Sequence, residues 1–387
     1  MHVQHPSCPE GVWRAAPAAP LVPARLLERP GKILFITHLA LGDYAYLQNF
    51  FKALAGRFPH LQIHLWVDEL RCTKNAAKWE GLRKYILYDW LAACPFIPKT
   101  YSRTWRPDLR AESIEAARRE NYPVIISLAL VRPHRYAALA RKIGPDSFVA
   151  GIRRFAGGLR GLVHDFSYKK LDAALPSEIR GLGHVSELFS CWFLHLFGFG
   201  LALRERLPFV DIPDEWTRWA ADYIDTLDAA GKPLVFVNPS AKTPKRCWPM
   251  AHAVELIKTM RQQPEWRGAV FLVNTLPDKI PETRSLVHAG GRERVHVFSA
   301  NAHFFQLPAI LRRCALIISV ETATMHLANA VRVPVVALMR KKNPEWHPLD
   351  AANSKIVTVS KRRDWIKEIP PGRVLDAMRG FPPAPEE

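Results

Sequence analysis

The sequence predicts an α/β protein built as two Rossmann-like halves. Two observations predict it. Short apolar runs that read as buried strands alternate with helical periodicities, which is the pattern of a parallel sheet wrapped on both faces. The alternation breaks once, at the Pro-bounded extended segment Leu207-Pro-Phe-Val-Asp-Ile-Pro213, and then resumes. A chain of 387 residues, 48% hydrophobic, has room for two domains with cores of their own.

The elements follow in order. Residues 1–30, rich in Pro and Ala, read as a loosely packed tail. Lys32 to Thr37 is a buried strand, Asp43 to Phe58 an amphipathic helix closed by Pro59, and Gln62 to Val67 a second strand. Lys84 to Tyr88 reads as a third strand, Asp108 to Asn121 as helix, Val124 to Leu128 as strand and Arg132 to Ile143 as helix. Arg153 to Pro176 shows no period, contains Gly157-Gly158, and is expected to be loop. Leu188 to Leu203 is the longest apolar stretch. His195, Gly198 and Gly200 interrupt it, and it falls short of the ~20 residues a membrane helix needs, so a buried helix with a turn is expected.

Beyond the linker, Trp216 to Ala229 reads as helix, Leu234 to Val237 as strand and Met250 to Gln262 as helix. Val270 to Val273 and Val295 to Phe298 are strands, Leu307 to Arg313 is helix, and Ala315 to Val320 is strand. The domain limits drawn from this reading are an N-terminal domain over 31–206, a linker over 207–213, a C-terminal domain over 214–365 and a tail over 366–387.

Composition narrows the function. Six scattered cysteines without a C-x-x-C or zinc-like spacing suggest reduced thiols in a cytoplasmic protein. The N-terminus lacks a charged region followed by an apolar one, so no signal peptide is expected. A net charge of +18 points to anionic partners. The basic pairs are dispersed, however, and no zinc finger, helix-turn-helix or aromatic-interleaved motif accompanies them, which argues against nucleic acid. A G-x-G-x-x-G fingerprint is missing, which argues against a nicotinamide dehydrogenase.

The richest stretch runs from Ile317 through Val320-Glu-Thr-Ala-Thr-Met-His326 to Ala330, followed by the apolar strand Pro334–Leu338. A buried strand, a short polar loop and a small-residue helix present backbone N–H groups at the carboxyl edge of a sheet, where phosphates bind. Thr322 and the backbone of Ala323 and Thr324 are the best phosphate contacts. His326 is either a ligand contact or a packing residue. Lys242, Lys245 and Arg246 crowd a short loop after a strand, where fixed cations would stabilise a leaving diphosphate; a solvated basic loop is the plain alternative. Ser240 and Thr243 could add hydroxyl donors, and Asp278, in a loop after a strand, could accept from a ribose. Trp248 is expected to pack the loop and not to touch ligand.

Three ordered blocks resemble glycosyltransferase family 9, the heptosyltransferases of lipopolysaccharide assembly. They are Lys32-Ile-Leu-Phe-Ile-Thr-His-Leu-Ala-Leu-Gly-Asp43, Val237-Asn-Pro-Ser-Ala-Lys-Thr-Pro-Lys-Arg-Cys-Trp-Pro249 and the stretch around Glu321 to Ala330; His184-Val-Ser-Glu-Leu188 is a weaker fourth. The resemblance covers roughly residues 31 to 350. It implies the GT-B architecture, two Rossmann-like domains facing an interdomain cleft, and an inverting transfer from a nucleotide sugar, ADP-heptose being the suspected donor.

In that family Asp43 would be the general base that takes the acceptor's proton; read by itself, an Asp opening a helix is equally a capping residue. The family's diphosphate lysine falls at Arg246, with Lys245 adjacent, and either could serve. Glu321 stands where the family has aspartate and Ala323 where it has glycine, changes expected to tune donor choice. Lys341 to His347 replaces a family loop beside the donor pocket. His134 and Arg135 open a helix after a strand and could hold an anionic acceptor, or simply be a solvated helix start.

No D-x-D triplet occurs, so metal-independent catalysis with no cofactor is expected. The expected partners are a nucleotide sugar, a lipid-linked or anionic glycan acceptor, and peripherally the anionic inner face of a bacterial inner membrane. A same-fold transferase with another donor, or a silent glycan- or nucleotide-binding protein, remains the rival reading.

Overall fold

The computed structural model describes residues 13–67, 72–154, 164–288, 293–379 and 381. The chain divides into two compact units between Arg206 and Leu207. The first holds a six-stranded parallel sheet of β1 (Gly31–Thr37), β2 (Leu61–Val67), β3 (Lys99–Tyr101), β4 (Val124–Ser127), β5 (Phe148–Arg153) and β6 (Ala173–Pro176). Their spatial order is β3-β2-β1-β4-β5-β6. Strand β1 is apolar on both faces because both are covered. Phe35 meets Phe51 and Phe193 at ring separations of 4.9 and 6.0 Å on one side. Leu34 and Ile36 join Ile114, Ala117, Tyr136 and Leu139 on the other.

The second unit repeats the plan with β7 (Leu234–Asn238), β8 (Val270–Asn274), β9 (Val295–Phe298), β10 (Leu316–Val320), β11 (Val335–Met339) and β12 (Ser354–Thr358). The order β12-β11-β10-β7-β8-β9 is the first sheet's order read from the other end. In each sheet the chain starts at a central strand, winds outward, and returns to the other side of that strand. The reversal falls between β1 and β4 in one sheet and between β7 and β10 in the other. Such points open a crevice at the carboxyl ends of the strands.

Several expectations for the first unit are corrected. Lys84–Tyr88 is not a strand: Leu87–Ala92 is helical, and its buried Leu87, Trp90 and Leu91 have the i, i+3, i+4 spacing of one helix face. The third strand is instead Lys99–Tyr101, joined to β2 at His64↔Lys99 and too short to show a period. The expected loop from Arg153 to Pro176 contains β6, and Phe148–Arg153 is a strand as well. Gly151 hides the second of these in the sequence. A Cβ there would lie 3.0 Å from Leu171 Cδ2 and 3.4 Å from Ser127 Cβ, so the close approach of these side chains favours glycine. Gly157-Gly158 lies outside the described residues.

Residues 13–30 are not a loose tail. Val22 is fully buried, and the amides of Leu21 and Val22 donate to the carbonyls of His195 and Leu196 at 2.7 and 3.2 Å. These partners close the apolar helix Val185–Phe197, which ends at Gly198 with φ 78°, a left-handed cap that glycine adopts without strain. Among the described residues no helix is long and apolar enough to cross a membrane.

Nor is the segment from residue 366 a tail. Ile366, Ile369, Val374 and Met378 belong to the core of the second unit, and Pro371–Met378 is helical. Trp248 is buried there as well, and its Nε1 donates to the carbonyl of Ile369 at 2.8 Å. Ile280–His288 is an additional helix and Ser354–Thr358 an additional strand, neither evident in the sequence pattern. Val210, in the segment joining the units, is buried, and its carbonyl accepts from Arg312 Nη2 at 3.1 Å.

Candidate active site

At the carboxyl edge of the second sheet, β7 ends at Asn238, β8 at Asn274 and β10 at Val320. Asn238 Nδ2 donates to Thr322 Oγ1 at 2.9 Å and to Ser319 Oγ at 3.0 Å, with Thr324 Oγ1 at 3.3 Å. Asn274 Nδ2 donates to Asn238 Oδ1 at 2.9 Å. One buried amide thus ties together three strand ends across the point where the winding reverses.

The network has a consequence for the helix Ala323–Ala330. Thr322 is its N-cap, with φ −142° and ψ 176°, but makes no side-chain cap bond. A cap hydroxyl ordinarily accepts from a first-turn amide. Here it accepts from Asn238 and donates toward the carbonyl of Val320 at 3.3 Å. Of the first-turn N–H groups, that of Met325 donates to the Thr322 carbonyl at 3.3 Å, while those of Ala323 and Thr324 are left to whatever approaches this end. Ala323 sits inside the helix with ordinary helical backbone, so the alanine is compatible with that loop.

Glu321 is buried between arginines. Arg340 Nε donates to Oε2 and Nη2 to Oε1, both at 3.1 Å, and the Arg340 amide adds a third donor to Oε2 at 3.3 Å. Arg246 Nε lies 3.5 Å from Oε1, with its side chain 40% exposed against 11% for Arg340. The expectation that Glu321 tunes donor choice meets a carboxylate whose oxygens both carry arginine donors.

The remaining members of the basic loop differ from one another. Lys242, Thr243 and Lys245 are exposed and Ser240 is half-buried. Lys245 Nζ sits 5.7 Å from the Trp365 ring centre. Asp278 is exposed in a short turn, Pro277–Lys279, after β8. In the Lys341–His347 loop, Lys341 Nζ donates to the Ser360 carbonyl at 2.8 Å. His326 is buried, and desolvation, aided by the charge of His347, pulls it down to about 3. Near neutral pH it is an uncharged imidazole, able to share a hydrogen bond but not to supply a cation.

The structure therefore brings the expected donor residues to one sheet edge, on the segments that leave β7, β8 and β10. In the first unit, Asp43 and the pair His134 and Arg135 likewise leave the neighbouring strands β1 and β4. Asp43 is the third residue of the helix Leu41–Arg57, and its Oδ2 accepts from the Ala40 amide at 2.7 Å. A carboxylate has lone pairs beyond the one this bond uses. Arg132, just before the second helix, has φ 53°, an uncommon left-handed conformation for a non-glycine residue. His134 stacks on His164 at 3.8 Å and is held below its usual pKa by burial first and then by His164 and the neighbouring arginines.

The segment around His184 caps a helix. Its Nδ1 accepts from the Ser186 amide at 3.0 Å, and Glu187 Oε2 accepts from Gly183 N–H at 2.9 Å. Sequence reading missed Asn238, Asn274 and Arg340. The signal available for all three was position, since each stands at or just beyond the last residue of a strand.

Residues 177–368 match glycosyltransferase family 9 (heptosyltransferase). No curated protein matches the chain by sequence. Among solved structures, a family 9 glycosyl transferase from Veillonella parvula DSM 2008 is 18% identical with a TM-score of 0.68, over 91% of this chain and 97% of that one. The E. coli ADP-heptose lps heptosyltransferase II is 16% identical with a TM-score of 0.65, over 90% and 98%. E. coli heptosyltransferase WaaC with ADP is 14% identical with a TM-score of 0.61, over 90% and 99%. At such identities these structures speak to the fold, which is the α/β, two-sheet GT-B fold. The matched segment is similar to glycosyltransferase family 9 (heptosyltransferase), and the match marks the chain as a glycosyltransferase.

Proposed function

We propose that the protein is an inverting, metal-independent glycosyltransferase that moves heptose from ADP-heptose to a lipopolysaccharide-core-like or other glycan acceptor. The observation that carries the reading is the carboxyl edge of the second sheet. There a helix start with its cap hydroxyl diverted lies beside a loop holding Lys242, Lys245 and Arg246. Backbone donors and fixed cations of this kind favour a diphosphate that gains charge as the glycosidic bond breaks.

In this mechanism the diphosphate lies against the Ala323 and Thr324 amides and Arg246, with Lys245 as a second cation. Thr322 serves through its backbone, because its hydroxyl belongs to Asn238. His326 offers a neutral hydrogen bond. Asp43 removes the proton from the acceptor hydroxyl as that oxygen attacks the anomeric carbon from the face opposite the leaving diphosphate. His134 and Arg135 hold anionic groups of the acceptor. ADP-heptose as donor and ADP as the leaving nucleotide derive support from the neighbouring structures, since WaaC was solved with ADP and with ADP-2-deoxy-2-fluoro heptose. A cytoplasmic protein touching the inner membrane's anionic face belongs to the same proposal.

A panel of nucleotide sugars tests it. ADP-heptose should raise Tm, and at 100 times its dissociation constant a ligand specific to the folded state adds ~2.7 kcal/mol. It should also be consumed in the presence of an acceptor. Turnover of a different nucleotide sugar would replace the donor, and tight nucleotide binding without any turnover would favour a silent binding protein.

A further inference from the structure

We propose that Arg340 is a positioning residue of the donor site: by neutralising Glu321 it keeps Arg246 available to the diphosphate. The proposal rests on the donor-site reading above and adds to it a residue outside the basic loop. Strands β10 and β11 run parallel with Val320 opposite Leu338. Glu321 and Arg340 therefore leave adjacent strands at the same edge. Only 5% of the Glu321 side chain is exposed. A carboxylate that poorly hydrated needs a partner, and two guanidiniums compete for it.

The competition is unequal. Arg340 makes fork-on contacts to both oxygens and adds its backbone amide, whereas Arg246 offers one nitrogen at 3.5 Å. Bidentate pairing is the stronger and more directional kind. One carboxylate and two arginines leave one positive charge in excess, and the more exposed Arg246 is where an anion can collect it. Without the Arg340 guanidinium the excess disappears: Glu321 would take Arg246 as its sole charged partner, and a diphosphate would have to break that pair. Lysine cannot substitute fully, being a point charge without the fork.

The test measures ADP binding by calorimetry, Tm, and donor KM and kcat in the full chain. Arg340→Met should weaken ADP by about tenfold or more, as one lost charge-assisted contact does, and raise donor KM more than it lowers kcat. Arg340→Lys should fall between that variant and the parent. Glu321→Gln/Arg340→Met should restore ADP affinity, because no carboxylate is left to capture Arg246. It also strands no buried charge, which keeps the test alive if the single variant folds poorly. Glu321→Gln alone should bind ADP at least as tightly as the parent.

Parent-like ADP affinity in folded Arg340→Met would overturn the role of Arg340 while leaving the donor site standing. So would a double variant that folds and still binds weakly. A parent protein that binds neither ADP nor any other nucleoside diphosphate would overturn the donor-site reading, and this proposal with it.

Discussion

Asp43 carries two duties that substitution can separate. Its carboxylate holds the Ala40 amide at the helix start, and its proposed chemistry needs a lone pair that can take a proton. Asp43→Asn keeps an acceptor oxygen for the amide but loses the basicity. Transfer should fall by roughly 10²–10⁴-fold while Tm stays near the parent value. Asp43→Ala loses both, and should also lower stability by ~0.5–2 kcal/mol, as lost helix-start contacts do. Parent-like transfer by the Asn variant would confine Asp43 to the structural duty. A second residue-scale prediction concerns acid. His326 and His64 are buried, and burial lowers them to about 3 and about 4. Between those values and ~6.5 the unfolded chain binds protons that the folded one refuses, so stability rises with pH there and is lost on acidification. Each site contributes a slope of up to ~1.4 kcal/mol per pH unit. Tm of the parent should drop from pH 7 to 4.5, and His326→Gln should flatten that curve. Parallel curves would count against a buried neutral imidazole.

At the scale of elements, the central strands were legible because they are apolar on both faces, and the helices because their apolar residues recur on one face. What was not legible was structure held by partners far along the chain. Strand β3 owes its form to β2, and β5 conceals itself behind Gly151. Leu21 and Val22 are held by the carbonyls of His195 and Leu196. The site behaves alike: the basic loop and helix start announce themselves by composition, but Asn238 and Arg340 matter through partners roughly 80 and 20 positions away. Asn238→Ala should therefore be costly. It would strip Asn274 and three hydroxyls of a buried partner, destabilising by ~1–3 kcal/mol. It should also free Thr322 to cap its own helix, which would weaken ADP binding; denaturant titration and calorimetry read the two effects separately. The C-terminal segment makes a blunter prediction. Truncation after Asp364 removes Ile366, Ile369, Val374 and Met378 from the core. At ~1.5–3 kcal/mol per buried side chain the loss rivals the ~5–15 kcal/mol that holds a whole domain. The truncated chain should lose the cooperative unfolding of its second unit, and an unchanged melting profile would contradict the packing described.

For the whole molecule, the net charge of +18 and the absence of a D-x-D triplet motivate one further test. Transfer should persist in EDTA, with protein cations meeting the charge of the leaving diphosphate; activity lost on chelation and restored by Mg²⁺ or Mn²⁺ would refute this. The shared strand order has another consequence, one of timing. In each sheet the first strand made is a central one whose second neighbour is encoded far downstream: Ile33 waits for Val124, and Val235 for Leu316. At ribosomal rates of roughly 5–20 residues per second, that delay lasts on the order of 5–20 s. Throughout it, one flank of an almost wholly apolar ribbon has its peptide groups unsatisfied, a state prone to pairing with the wrong chain. Long-range closure of this sort also slows refolding in vitro. The yield of active protein from denaturant should accordingly fall as chain concentration rises, well before any native contact is at risk.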